Sequence, residues 1–218
     1  SQILYTDNFA SGFAAEDRVV AGDLLITAGA TREDIDPVRY ITNHSSGKMG
    51  YALAKAARSM GAEVELVSGN TVIMPPYGVS TVFVSSAEEM YNVVLSRAQN
   101  ADIIVMAAAV ADYTPAEKAS QKIKKSEGEH ALVLKRTKDI LAEIGGNKTR
   151  AQIVVGFSME TENLLENSRK KLSEKNADMI VANSVANAST GFGVDTNVVT
   201  LITREGEREL PLMGTDQV

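Results

Sequence analysis

The sequence has no cysteine, and that absence removes disulfides, thiolate metal sites and a cysteine nucleophile together. It is compatible with a reducing compartment, and a cytoplasmic location is expected. Histidine is nearly absent too. His44 and His130 are too few for a histidine-based zinc site. Long apolar runs are missing. The longest, Ile103 to Ala111, falls far short of the ~20 residues of a membrane-spanning helix. No charged-then-apolar signal segment opens the chain, which starts at Ser1 rather than Met, as a piece of a longer protein would. A basic surface is lacking. Lys and Arg number 22 against 28 Asp and Glu, and the net charge of −6 argues against a general binder of nucleic acid or acidic membranes.

What is present is 218 residues, 44% apolar, enough for one large domain with a sizeable core or two small ones. Strand and helix patterns alternate along it. Asp23 to Ala28 reads as a buried strand ending at Gly29. Met49 to Met60 places Met49, Leu53, Ala56, Ala57 and Met60 at helical spacing, with Gly61 as the cap. Strands follow at Glu63 to Val67 and Val79 to Val84, then a helix from Ala87 to Gln99 with Met90, Val93, Val94 and Ala98 inward. Ala101 to Ala109 is apolar on both faces and belongs at the centre of a parallel sheet. Looser signals give a strand at Ala131 to Leu134, a short helix at Lys138 to Ile144 and a strand at Gln152 to Phe157. A helix over Glu162 to Lys175, a strand over Met179 to Ala182, and a hairpin of Val198 to Thr203 with Glu209 to Leu212 complete the pattern. The expected fold is α/β: a doubly wound, mostly parallel Rossmann-like sheet with a C-terminal β-hairpin. Residues 1–22 read as an extension or linker, and 23–218 as a single α/β domain.

Four stretches carry chemistry. The segment from Gly29 to Gly50 is too long for a strand-to-helix connection, which usually takes about 2–6 residues. Its second half ends at a helix N-terminus, where Ser45, Ser46, Gly47 and Lys48 present hydroxyls, amides and charge suited to an anion. It is neither a Walker loop nor the G-x-G-x-x-G fingerprint. The plain alternative is an N-cap at Ser45 or Ser46 behind a flexible loop. The second stretch is Ala107-Ala108-Ala109-Val110-Ala111-Asp112-Tyr113, where small residues admit a ligand and Asp112 is placed to accept hydrogen bonds; packing alanines and a turn aspartate explain it equally well. The third is Lys122-Ile123-Lys124-Lys125, a solvated charge run or a cationic flap over a polyphosphate. The fourth is the helix after Phe157. At about 100° per residue, Leu164, Leu165 and Leu172 share a face, with Lys171 and Lys175 on or beside it and Lys170 opposite. Inward lysines need an anion or a route to solvent. Together these groups suit a ligand with two or more anionic centres, as a nucleotide has.

The segments TAGATREDIDPVRYITNHSSGKMG, AAAVADY, KIKK, VVGF, RKKLSEKNAD and VAN, in that order, resemble phosphopantothenoylcysteine synthetase of the bacterial type. That form is often the C-terminal half of a bifunctional coenzyme A biosynthesis protein. The resemblance runs from about Leu24 to the C-terminal hairpin. It implies ligation of 4′-phosphopantothenate to L-cysteine, with CTP as co-substrate, Mg²⁺ as cofactor and a homodimer as the working form. It also implies fusion to, or association with, a flavin-dependent phosphopantothenoylcysteine decarboxylase. Asn43 is implied at the acyl intermediate and Lys122 at the triphosphate, as the catalytic pair. Ser45, Ser46, Gly47, Ala108, Asp112, Phe157, Lys171 and Lys175 are implied as nucleotide contacts. Arg39 is implied at the substrate phosphate, reaching from the second subunit, and Ala109 joins Asn43 on the substrate side. One departure stands out: Lys138 replaces the family's proline before Asp139-Ile140, and Arg136 to Lys138 are left outside the expected site. Two other classes share parts of this pattern. An NAD(P)-dependent oxidoreductase of Rossmann type would need the missing glycine fingerprint. A nucleotide-sensing module without catalysis would have no need of Asn43.

Overall fold

The computed structural model describes residues 22–125, 131–160, 162–184, 196–197, 199–211 and 213–214. The extension expected at 1–22, Gly22 apart, lies outside them, as do His130, Val198 and Leu212. The first half of the chain forms β1 (Asp23–Ala28), β2 (Arg32–Asp34), β3 (Tyr40–Thr42), α1 (Lys48–Ser59), β4 (Glu63–Ser68), β5 (Ser80–Phe83), α2 (Ala87–Ala98) and β6 (Ile103–Met106). The second forms β7 (Tyr113–Pro115), β8 (Leu134–Arg136), α3 (Ile140–Asn147), β9 (Ile153–Glu160), α4 (Leu164–Glu174), β10 (Met179–Ser184), β11 (Thr196–Asn197), β12 (Val199–Thr203), β13 (Glu207–Glu209) and β14 (Met213–Gly214).

Eight strands make one sheet in the order β13-β12-β10-β9-β6-β1-β4-β5. The run from β10 to β5 is parallel, and β12 and β13 add the antiparallel hairpin at one edge. Alternation along β1 feeds two cores. Leu24, Ile26 and Ala28 face α1 through Tyr51, Ala54 and Ala57, while Leu25 faces the other layer with Met90, Val94, Ile140, Ile144 and Leu172. Each such buried Leu or Ile contributes about 1.5–3 kcal/mol relative to exposure. β6 lies between β1 and β9, the central position its two-sided apolarity required.

Several expectations need correction. The buried residues of α1 are Gly50, Tyr51, Ala54 and Ala57; of the expected stripe of Met49, Leu53, Ala56, Ala57 and Met60 only Ala57 is buried, while Met49 and Leu53 pack half-buried against the core. At Gly50 α1 lies so close to the end of β1 that a side chain would not fit, while Tyr51 packs with the buried residues of the strand. In α4, Ser168 and Leu172 are buried and Leu164 packs on the core, whereas Leu165 is exposed. That helix begins at Leu164, because Asn163 takes the left-handed conformation (φ 51) just before it. β8 starts at Leu134 instead of spanning 131–134, since its pairing is with β7 across the Tyr113–Arg136 register. The expected loop of Gly29 to Gly50 contains the hairpin β2–β3. Glu33 on that hairpin is buried and accepts from the Ala87 amide at 2.8 Å, fixing it to the start of α2. No helix among the described residues is long and apolar enough to cross a membrane.

Candidate active site

Strand order reverses at β1: β4 and β5 lie to one side, β6, β9 and β10 to the other. In open α/β sheets ligands bind at such a point, beyond the carboxyl ends of the two diverging strands. The segments that leave β1 and β6 there are the first two chemical stretches of the sequence. They are laced together. Ala109 N–H donates to Gly29 O (2.8 Å), Thr31 N–H to Ala109 O (3.3 Å), and the Thr27 and Thr31 hydroxyls accept from Ala108 and Ala111. Asn43 Nδ2 donates to Val110 O at 3.1 Å, joining the two rims. A cavity of about 540 Å³ opens between them, lined by Thr42 to Gly50, Ala107 to Val110, Asp112, Phe157, Lys171 and Asn183, among others.

The wall formed by α1 explains its glycines. Gly47 is the N-cap in left-handed conformation (φ 80), and no side chain caps the helix. The N-cap position is therefore not a serine: Ser45 Oγ accepts from Gly47 N–H (3.3 Å) in the loop, and Ser46 Oγ accepts from the N–H of Lys48 (3.4 Å), the first residue of α1. Thr71, following β4, donates its hydroxyl to Ser46 O at 2.8 Å and holds the loop down. A β-carbon at Gly50 would stand 2.5 Å from Ala28 Cβ, so Gly50 lets the first helical turn rest on the end of β1. The helix N-terminus thus faces the cavity with its dipole, as anion binding requires.

A second cavity of about 590 Å³ adjoins the first and shares Ala108, Val110, Asp112, Phe157 and Lys171 with it. Its remaining lining includes Arg136 to Leu141, Lys170, Glu174 and Lys175. Phe157 does not end its strand; β9 runs on to Glu160, and Phe157 O accepts from Lys171 Nζ at 2.8 Å. Lys175 Nζ pairs with Asp139 Oδ2 at 2.7 Å. Asp139 also caps α3 by accepting from Ala142 N–H at 2.9 Å. Burial pushes the Asp139 carboxyl up, but Lys175 and the Ala142 amide outweigh it and hold the group below its ordinary value of 3.8. A depressed carboxyl stabilises above its unfolded pKa and ceases to do so as pH falls through its folded one. Asp139→Ala should therefore lower Tm at neutral pH by roughly 2–4 °C, the loss of a cap worth about 1 kcal/mol. Thermal scans should show that gap closing in acid, as pH falls below 3.8 and on through the depressed value of the folded carboxyl.

Ser45, Ser46, Gly47, Asn43, Ala108, Ala109, Asp112, Phe157 and Lys171 all line the first cavity, and Lys175 lines the second. Arg39 and Lys122 line neither. Arg39 is bound to Asp36, and Lys122 is exposed on the segment beside it. Lys170, though exposed, forms part of the second wall. The stretch Arg136 to Lys138, left out of the expected site, belongs to it by position. Lys138 Nζ lies 4.5 Å from the centroid of the Tyr91 ring, a contact that ties this stretch to α2. His44, Ser158 and Asn183 were not singled out either. His44 and Asn183 lie inside quoted motifs, but Ser158 carries no signal beyond its place after Phe157. Among the described residues no three His, Asp or Glu side chains come together as a metal-ligand set.

The sequence profile of the DNA/pantothenate metabolism flavoprotein C-terminal domain matches residues 19–218. The chain belongs to that family. Among members of known sequence, it is 50% identical over 193 residues to the coenzyme A biosynthesis bifunctional protein CoaBC of Bacillus subtilis (strain 168), covering 88% of this chain and 47% of that protein. With CoaBC of Escherichia coli (strain K12) it shares 45% over 194 residues, 87% of this chain and 48% of that one. The domain therefore spans about half the length of the curated relatives it matches. A crystal structure of the C-terminal domain of CoaBC superposes with a TM-score of 0.75 at 45% identity, covering 89% of this chain and 88% of that one. The Cab2 H337A variant, solved with phosphopantothenate-cysteine, shares the fold at 16% identity (TM-score 0.77, 89% and 82% covered). The family resemblance read from the motifs is borne out, and so is the Rossmann-like sheet with its C-terminal hairpin.

Proposed function

We propose that the chain ligates 4′-phosphopantothenate to L-cysteine, with CTP activating the carboxylate. The observation that carries this reading is the convergence of the NHSSGKMG and AAAVAD segments on one cavity at the sheet's reversal point, in a chain 50% and 45% identical to the CoaBC proteins of Bacillus subtilis and Escherichia coli. The substrate carboxylate attacks the α-phosphorus of CTP and releases pyrophosphate, leaving an acyl-cytidylate. The cysteine amine then attacks the acyl carbon and expels CMP. Neither step needs an enzyme nucleophile, in keeping with a chain that has no cysteine. Charge neutralisation and alignment do the catalytic work.

Asn43 donates to the acyl oxygen as charge develops there. Ser45, Ser46, Gly47 and the start of α1 take nucleotide phosphate. Phe157, Lys171 and Lys175 extend that grip into the second cavity, with Asp112 and Ala108 at the junction. Mg²⁺ belongs with the nucleotide phosphates rather than with a protein ligand set. Arg39 and Lys122 stand outside their own chain's cavities, which supports a homodimer in which Arg39 serves the second subunit's substrate phosphate. The partner activity is a flavin-dependent decarboxylase, fused or associated, since the relatives are bifunctional and about twice as long.

The decisive assay combines the protein, Mg²⁺ and 4′-phosphopantothenate with CTP or ATP, with and without L-cysteine. Cysteine-dependent formation of CMP and phosphopantothenoylcysteine is expected. Turnover with ATP alone would overturn the nucleotide, and nucleotide binding without product would favour the sensing module. Binding of NAD(P) in place of CTP would favour an oxidoreductase.

A further inference from the structure

The tip of the β2–β3 hairpin, Asp36-Pro37-Val38-Arg39, is organised around one carboxylate. The Asp36 side chain has 0% exposure although the hairpin tip around it is exposed. Its Oδ1 accepts from Val38 N–H (2.8 Å) and Arg39 N–H (2.9 Å), which is the turn an Asp-Pro pair favours. Those bonds account for the turn. Oδ2 is engaged elsewhere. It accepts from Arg39 Nε (3.0 Å), from Arg39 Nη2, and from Ile123 N–H (3.1 Å), 87 residues away in sequence. Arg39 Nη2 also donates to Ile123 O at 3.0 Å.

Two further contacts fasten the same segment: Ala119 N–H donates to Ile35 O (3.0 Å), and Lys118 pairs with Asp34. Burying a carboxylate is costly unless it is paired and hydrogen-bonded, and here both conditions are met by groups from two separate stretches of chain. The Arg39 guanidinium and the amides of Val38, Ile123 and Arg39, acting against burial, hold the Asp36 carboxyl well below the usual range. Ile123, which takes both cross-chain bonds, is the neighbour of Lys122.

We propose that Asp36 is a positioning residue that fixes Arg39 and the Lys122-bearing segment in one spatial relation, so that the two cations are presented as a unit. This rests on the role proposed above for Arg39 and on the triphosphate role that the family resemblance implies for Lys122. The physical consequence is coupling. One carboxylate that touches neither substrate governs the binding of both, the acceptor's phosphate through Arg39 and the triphosphate through Lys122.

The test combines steady-state kinetics, varying phosphopantothenate and nucleotide separately, with hydrogen exchange at the Ile123 amide. Asp36→Asn keeps the volume but turns an amide donor toward donors. It should speed exchange at Ile123 and raise KM for both substrates about tenfold, with kcat within about threefold. Arg39→Ala should raise KM for phosphopantothenate alone, and Lys122→Ala for nucleotide alone. Adding Asp36→Asn to Arg39→Ala should bring no further rise for phosphopantothenate. A residue that only stabilises the turn would lower Tm and active fraction and leave both KM values in place; that result overturns the proposal. Silence of both Arg39→Ala and Lys122→Ala would overturn the assigned roles and with them the kinetic coupling, while faster exchange in Asp36→Asn would still establish the clasp. If Asp36→Asn does not fold, Arg39→Lys takes its place. It keeps the charge but cannot span Asp36 and Ile123, and unchanged exchange at Ile123 in that variant overturns the proposal.

Discussion

Replacing Asn43 by Asp should reduce cysteine-dependent turnover by about a hundredfold or more while leaving the fold in place, the scale seen when one donor to a developing oxyanion is removed. Asn43 is exposed, and its side-chain Nδ2 donates to Val110 O. The substitution preserves volume and reverses the hydrogen-bonding sense. A carboxylate cannot donate to Val110 O, and it brings negative charge to a point where an acyl oxygen is gaining it. Circular dichroism and thermal unfolding should match the parent. Nucleotide affinity should change little, because the serines and the α1 N-terminus lie further along the loop. Ligation at the parental rate would remove Asn43 from the chemistry and revive the non-catalytic reading.

The adjacent glycines Gly145 and Gly146 of α3 should respond in opposite ways. A β-carbon on Gly145 would fall 1.8 Å from the carbonyl oxygen of Lys175, with Asn176 O at 3.2 Å. Both are backbone atoms at the end of α4, and Asn176 Nδ2 already donates to Gly145 O at 2.7 Å. Ala at this position must drive the two helices apart. We expect a loss of about 3 kcal/mol, at the upper end for overpacking, and a Tm lower by roughly 6–12 °C. Nucleotide affinity should fall as well, since Lys175 and Asp139 form their pair across that contact. Gly146 has nothing within 4 Å of the same construction. Ala there should raise Tm by up to a few degrees, because alanine is the better helix former by about 0.5–1 kcal/mol. Equal tolerance at both positions would disprove the close packing of α3 on α4.

What was legible in the sequence was whatever one element decides alone. The two-sided apolarity of Ala101 to Ala109 placed β6 at the centre, and the small residues Ala107 to Ala109 line the cavity at its end. Gly61 stopped α1 where expected, with the Ala62 amide reaching back to Ala57 O. What escaped depends on partners distant in the chain. Leu165 reads as core until Ser168 and Leu172 are seen to occupy the inward face. Glu33 looks like a surface acid in a polar loop, and only the position of α2 shows it to be a buried cap. Helix periodicity turns Lys171 and Lys175 toward the core edge, where both are half-buried, but their contacts with a strand carbonyl and a helix cap are set by β9 and α3. Arg136 to Lys138 fall outside the site that the family resemblance implies. Their position on the second wall depends on the β7–β8 pairing and on the Tyr91 ring, neither of which leaves a local signature.

The seam between β1 and β6 also has a history on the ribosome. Thr27 and Met106, paired across it, are 79 residues apart in the chain. β4 and β5 emerge earlier and can dock on the other side of β1 at once. The seam side of β1 stays bare until β6 is made, several seconds later at typical elongation rates of about 5–20 residues per second. Through that interval the segment from Gly29 to Gly50 has no Ala109 or Val110 to bind. The pocket is therefore a late product of synthesis, and a nascent chain stalled before residue 110 would carry the loop from Gly29 to Gly50 without the wall that completes the cavity.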